Sequence, residues 1–438
     1  MIFKKIKNYI SLSKSNYIDT GLSSICYFSS SPLVLGHHFF IKEFLRKNNL
    51  KYLLFFFKQI FTISNGYNIK IYNKHYKYNQ KKIFFTWGFK DNFDKQGNIT
   101  DQYFRINSEN KKILWVVIYL DKKIPTKISK NIILISLLND NKIKSIIKSF
   151  FYFFKILIKK KLNFKKLHNE LSFSSIFAEN LSHEISKLVS ANKINQIFMP
   201  YEGQPFQHYI PQQFKKINSK IKFFGYVSHN LPHSFDMFKR HGSPDYLFFH
   251  SKDQKNYFSK YLGWQKSKLK LISSLRLKKE KKNKLNNKIF FSNQLNQIGK
   301  LTKNFQIYLS NSKNKSLPIM KINIHPRAYD KRKQLELKNK FESIIQKNRT
   351  KFNKKLKKNI SIVIGFTSTP LYLLQNDINV LHIVENSFFQ SYNSKYWPSI
   401  KSNKINDNIF VYSLLKNKKV LNMSNFKSLN LLEKYLYN

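Results

Sequence analysis

Three stretches of this chain put side chains capable of acid–base or phosphate chemistry directly after apolar runs. In Ile197-Phe198-Met199-Pro200-Tyr201-Glu202-Gly203, a buried strand is expected to deliver the Glu202 carboxylate to a sheet edge, where Gly203 lets the chain turn. The run Lys321 to Ile324 ends at His325-Pro326-Arg327, and the run Ile360 to Ile364 ends at Gly365-Phe366-Thr367-Ser368-Thr369. A carboxylate can take a proton from a hydroxyl. An imidazole changes charge near neutral pH and can neutralise or protonate a phosphate oxygen. Two hydroxyls where a helix begins, beside its free N–H groups, make a phosphate seat.

The surrounding pattern is one of strands alternating with helices. Lys82 to Gly88, Ile113 to Leu120 and Ile132 to Leu138 are apolar, β-branched runs, as expected of buried parallel strands. A helix over Ser175 to Ala191 precedes the Glu202 strand, and a second, weakened by Pro211, follows it over Gln204 to Lys216. Strands at Ile221 to His229, Tyr246 to Ser251 and Leu269 to Ser274 complete a first αβ domain over 1–277, of which 1–80 is poorly defined; Phe39 to Phe61 reads as helix. The lysine- and asparagine-dense 278–288 reads as a linker.

A second αβ domain, 289–438, follows. Its expected strands are Ile289 to Phe291, Ile319 to Ile324, Ile360 to Ile364 and Val380 to Val384; its expected helices reach Ser310, span Lys333 to Gln346, start near Leu371 and close the chain over Phe426 to Tyr437. Such alternation predicts parallel, doubly wound, Rossmann-like sheets.

The chain has 438 residues, enough for two or three domains, and 42% hydrophobic and 16% aromatic residues, enough for real cores. Against 23 Asp and Glu stand 79 Lys and Arg, a net charge of +56. That field suits an acidic substrate, nucleic acid or an anionic membrane. Its lysines are spread along the chain together with Asn, Ile, Phe and Tyr, which is also what an AT-rich genome produces. The single cysteine, Cys26, excludes an intrachain disulfide. No signal peptide or membrane-spanning run is evident, which predicts a cytoplasmic protein, free or resting on the inner membrane surface. Lys142 to Lys161 is a basic amphipathic helix with Ile146, Ile147, Phe150, Phe151, Phe154 and Leu157 at helical spacing. It reads either as cover for a sheet or as a membrane-surface contact.

An acid followed by glycine, then His-Pro, then Ser-Thr, in this order, resembles the bacterial sialyltransferases and related transferases of CMP-activated acidic sugars. The resemblance covers roughly residues 195–385. It implies a GT-B glycosyltransferase: two Rossmann-like domains facing a cleft, with no metal or other cofactor beyond the nucleotide-sugar donor. It implies that Glu202 is the general base and that His325 assists the departing phosphate. Ser368 and Thr369 would bind the CMP phosphate, with Pro326 beside His325. The family often carries two acids before the glycine, whereas Tyr201 precedes Glu202 here, so His208 and His229 stand as fallback bases on the acceptor side. Arg276, in Ile272-Ser273-Ser274-Leu275-Arg276, is a further candidate for the donor phosphate. Tyr-Glu-Gly-Gln-Pro-Phe at 201–206, Gly225 to His229 and Tyr246 to Ser251 are also similar to segments of surface-polysaccharide biosynthesis proteins.

Other classes fare less well. No Asp-x-Asp, G-x-G-x-x-G or P-loop occurs. His37-His38 lacks placed acids for a metal. No glutamate lies between Thr369 and Val384 to hold a UDP ribose, although Glu385 follows. The alternatives are a UDP-sugar transferase, a CDP-glycerol-type phosphotransferase and a basic nucleic-acid-binding protein, the last without a recognition motif.

Overall fold

All seven residues of Ile113–Tyr119 are buried. A strand apolar at every position needs cover on both faces, which parallel sheets with crossover helices supply. The computed structural model describes residues 69–73, 80–109, 111–121, 123–137, 143, 146–147, 150–151, 154, 158, 173–190, 193–232, 237–293, 295, 297–311, 316–325, 330–353 and 359–423. They form a mixed α/β protein with parallel sheets. The chain divides into two units. The first lies within Met1–Ser228, Phe235–Phe248 and Phe258–Lys270; the second lies within His229–Ser234, Phe249–Tyr257 and Leu271–Asn438.

The first unit carries β1 (Ile69–Tyr72), β2 (Lys82–Gly88), β3 (Ile113–Tyr119), β4 (Ile132–Leu137), β5 (Gln196–Pro200), β6 (Lys222–Tyr226), β7 (Tyr246–Phe249) and β8 (Leu269–Leu271), in the spatial order β1-β4-β3-β2-β5-β6-β7-β8. From β2 the chain runs through β3 to β4 on one side, then returns to β5 and runs outward on the other. Because β2 pairs in parallel with both β3 and β5, the winding reverses between β2 and β5. Helices α1 (Phe173–Ser190) and α2 (Pro205–Ile217) pack on each other. They bury Leu181, Ile185, Phe206, Ile210 and Phe214 against one face of the sheet. On the strands themselves, Phe84, Phe198 and Phe224 stack as a cross-strand ladder with ring centroids 4.8 and 4.7 Å apart. Helix α3 (Lys252–Tyr261) carries the chain across the boundary between the units.

The second unit carries α4 (Lys282–Leu285), β9 (Lys288–Phe291), α5 (Ile298–Ser310), β10 (Leu317–Pro318), β11 (Lys321–Asn323), α6 (Lys331–Lys347), β12 (Phe352–Asn353), β13 (Ile360–Ile364), α7 (Thr369–Gln375), β14 (Asn379–Ile383), α8 (Ser387–Gln390), β15 (Ile400–Asn406) and β16 (Ile409–Leu414). The main sheet has the order β11-β9-β13-β14-β16-β15, parallel from β11 to β14 and antiparallel thereafter; β10 and β12 pair separately. Its winding reverses between β9 and β13. Helices α5 and α6 close one face through Phe305 and Phe341, stacked at 4.5 Å. Both strand orders are compatible with a Rossmann-like α/β fold.

Several expected bounds move. The strands toward Glu202, His229 and Ser274 end earlier, at Pro200, Tyr226 and Leu271. Residues just beyond those ends, Tyr201, Val227 and Ile272, are nonetheless buried, so the apolar run continues into buried loop. The expected linker, 278–288, holds α4 and the first residue of β9, and lies within the second unit. There the Glu280 N–H donates to Asn376 Oδ1 at 3.0 Å and the Tyr372 hydroxyl to the Lys278 carbonyl at 3.2 Å. The antiparallel strands β1, β15 and β16 were not expected. Cys26, His37-His38 and the expected helices at Phe39 to Phe61 and Phe426 to Tyr437 lie outside the described residues. Among those described, no helix is long and apolar enough to cross a membrane.

Candidate functional site

In an open α/β sheet the two loops that follow strands on either side of a winding reversal splay apart and leave a crevice at the strands' carboxyl ends. In the first unit that position falls between β2 and β5, and the loop after β5 is Tyr201-Glu202-Gly203-Gln204. Gly203 has φ +74°, a conformation that side chains with a Cβ disfavour. The turn is held from inside by Gln207 of α2, which is fully buried. Its Oε1 accepts from the Glu202 N–H at 2.9 Å and from the Gln204 N–H at 3.0 Å, and its amide donates to the Pro200 carbonyl. The Glu202 side chain is half-buried, and its Oε2 accepts from Gln204 Nε2 at 3.0 Å.

Beneath this turn His208 is completely buried. Arg240 donates to its Nε2 from both Nη2, at 2.8 Å, and Nε, at 3.2 Å, and Arg240 Nη2 also donates to the Gly203 carbonyl at 3.3 Å. Burial, then the charges of Arg240 and Lys239, push the imidazole well below its usual range, against the Gly203 carbonyl beside it. The ring's Nε2 thus receives a guanidinium inside the protein. His208, expected as a fallback base, here positions Arg240 under the Glu202 turn.

In the second unit the reversal falls between β9 and β13, and the loops there begin at Ser292 and Gly365. The Ser292 N–H donates to the Ile364 carbonyl at 2.9 Å. Gly365 has φ +83°, and a Cβ built on it would lie 2.5 Å from Ser292 Oγ, so only glycine fits. Beyond it, Ser368 is the residue before α7, and its hydroxyl makes no capping bond to that helix. The Thr369 hydroxyl pairs with that of Thr367 at 2.8 Å. His325 lies two residues past β11, the strand next to β9, and is half-buried. Gln334 of α6 links these loops, donating to the Ser292 carbonyl while its Oε1 lies 3.5 Å from the His325 N–H. His325, Ser368 and Thr369 therefore all follow parallel strands at one edge of one sheet. Pro326 lies outside the described residues.

The segment His229–Ser234 also belongs to the second unit. His229 is half-buried and its carbonyl accepts from Gln254 Nε2 at 2.9 Å. Next to it, the Asn230 carbonyl accepts from the Tyr392 hydroxyl at 2.8 Å, and that hydroxyl lies 3.2 Å from the Thr367 carbonyl. The structure thus sets His229 near the hydroxyl loop, in the unit that carries Ser368, and not in the unit that carries Glu202. Asn230 Nδ2 also bonds His250, whose pKa burial lowers to about 3, with the nearby His229 and Arg276 adding to the effect. Arg276 is exposed. Glu385 follows β14, and its Oε1 accepts from the Gln297 N–H at 2.9 Å, so it holds the start of α5.

Among the described residues no three of His, Cys, Asp and Glu are grouped as a metal-ligand set. No family model matches this chain, and no curated protein matches it.

Proposed function

We propose that this protein is an inverting, metal-independent glycosyltransferase of the GT-B type, acting in surface-polysaccharide synthesis with a CMP-activated acidic sugar as donor. The observation that carries the reading is the shared position of its polar residues. Each unit has one winding reversal; Glu202 sits at the first, Ser368 and Thr369 sit at the second, and His325 follows the adjoining strand. The spread of positive charge over the chain favours an anionic donor.

In this mechanism Glu202 takes the proton of the acceptor hydroxyl as that oxygen bonds to the anomeric carbon. The bond from that carbon to the CMP phosphate breaks, and its electron pair leaves with the phosphate. A single displacement inverts the centre. His325 and the hydroxyls of Ser368 and Thr369 meet the charge that develops on the phosphate, and Arg276 adds to the positive field. General-base help is worth roughly 10²–10⁴-fold in rate. The lack of a glutamate between Thr369 and Val384 to hold a uridine ribose favours CMP over UDP.

The test is nucleotide binding by calorimetry with CMP, CDP and UDP, paired with a transfer assay using a CMP-activated sialic acid. Glu202→Gln is expected to abolish transfer and leave CMP affinity near that of the unmodified chain. The Ser368→Ala/Thr369→Ala double variant is expected to weaken CMP binding. Preference for UDP overturns the donor, and equal loss of binding in both variants overturns the division of roles. Tight DNA binding that falls steeply with salt, without nucleotide binding, favours the nucleic-acid reading instead.

A further inference from the structure

Ile143, Ile147, Phe151, Phe154 and Ile158 are helical and are 72, 48, 73, 56 and 77% exposed. At about 100° per residue they fall within an arc of roughly 80° on one helix face. Ile146 and Phe150, on the adjoining arc, are half-buried. Ile146 and Phe150 are thus less exposed than a second apolar set, two phenylalanines among three isoleucines, that faces outward. A contiguous stripe of this kind is unfavourable in water and marks a surface that something covers.

The sequence supplies the chemistry of the cover. Lys144, Lys148, Lys155 and Lys159 each come one residue after Ile143, Ile147, Phe154 and Ile158. In the sequence these four lysines repeat with the spacing of the apolar residues that they follow. Long lysine side chains can extend along an apolar surface and place their ammonium groups at its polar margin. A row of cations beside a row of aromatic and aliphatic side chains complements an anionic lipid surface, where acyl chains lie under phosphates. The net charge of +56 favours the same partner at long range. We propose that this face docks on an anionic bilayer, with the helix lying in the plane of the interface and not crossing it. The inference goes beyond the proposed transfer reaction and does not depend on it.

The experiment is co-sedimentation of the full chain with vesicles of phosphatidylcholine alone and with vesicles containing about one-third phosphatidylglycerol, at low and high salt. The unmodified chain is expected to bind the anionic vesicles and to release at high salt. A triple variant, Phe151→Ser/Phe154→Ser/Ile158→Ser, leaves the half-buried side of the helix intact and is expected to bind at least about tenfold more weakly. A quadruple variant changing Lys144, Lys148, Lys155 and Lys159 to Gln is expected to lose most of the salt dependence. Circular dichroism confirms that both variants fold. The proposal is overturned if the unmodified chain ignores anionic vesicles, or if the triple variant binds them equally well, since diffuse charge then suffices. It is also overturned if sedimentation velocity shows the unmodified chain self-associating through this face and the triple variant monomeric, with vesicle binding unchanged.

Discussion

The imidazole of His382 donates from Nε2 to the Gly365 carbonyl at 2.8 Å, while its Nδ1 faces the Tyr412 hydroxyl at 3.5 Å. His382 is the penultimate residue of β14 and is fully buried. A ring sealed between two strands thus pins the glycine at which the Ser368 loop leaves the sheet. Gly365 holds its own strand end as well, through its N–H to the Ile383 carbonyl at 2.8 Å. The loop that follows is fixed at its first residue before its hydroxyls are set.

The burial of this ring makes the loop sensitive to acid. Burial lowers the His382 pKa from 6.5 to about 4, against the Gly365 carbonyl. The folded state therefore binds fewer protons than the unfolded chain below pH 6.5, so the stabilisation is full above that value and is lost as pH falls through about 4. The difference is worth about 3 kcal/mol. His382→Gln keeps a donor at similar reach without titrating, so its stability should vary less with pH over this window. His382→Phe leaves the Gly365 carbonyl unpaired, and should cost about 1–3 kcal/mol and weaken CMP binding. Urea unfolding from pH 4 to 8 checks the first expectation and calorimetry the second; unfolding curves for His382→Gln that track the unmodified chain at every pH would refute it.

The equivalent support in the first unit is Gln207. Its side chain satisfies two N–H groups and one carbonyl of the Glu202 turn. Gln207→Leu should cost about 2 kcal/mol and reduce transfer while leaving CMP affinity unchanged. Gln207→Glu retains the two acceptor contacts, loses the donation to Pro200, and should fall between. If Gln207→Leu lowered CMP affinity as much as turnover, the turn would not be a separate element of the site.

The contrast between these supports and the residues they serve explains what the sequence made legible. Ile360–Ile364 and Ile113–Tyr119 are readable as strands because burial on both faces demands apolar residues throughout. The same signal overshoots at Tyr201, Val227 and Ile272, because an apolar run reports burial and not pairing. β15 was illegible for the opposite reason. It is an edge strand of sequence Ile-Lys-Ser-Asn-Lys-Ile-Asn, mostly exposed, and its pairing with β16 comes from the fold. Glu202, His325, Ser368 and Thr369 stood out by following strands. Gln207, Gln334, Arg240 and His382 did not, because their partners are loop carbonyls, loop N–H groups and a buried ring brought near only by folding.

Asp101 shows the same use of a buried polar group with the opposite pH dependence. Fully buried, it accepts from the Thr86 hydroxyl and from the N–H groups of Tyr103 and Phe104, and so binds the 101–104 turn to β2. Burial raises its pKa from 3.8 to about 6, although Thr86, Phe104, Tyr103 and Arg105 each act to lower it. Between those values the folded state holds a proton that the unfolded chain releases. Its contribution to stability is therefore fully present below pH 3.8 and falls by about 3 kcal/mol as pH rises through 6. Asn resembles the protonated acid and does not titrate. Asp101→Asn should therefore gain on the unmodified chain by a similar amount between pH 4 and 7, measured as the difference in unfolding free energy in urea. A difference that stays constant over that range would mean that Asp101 ionises freely in its buried site, and that the three donors outweigh its loss of water.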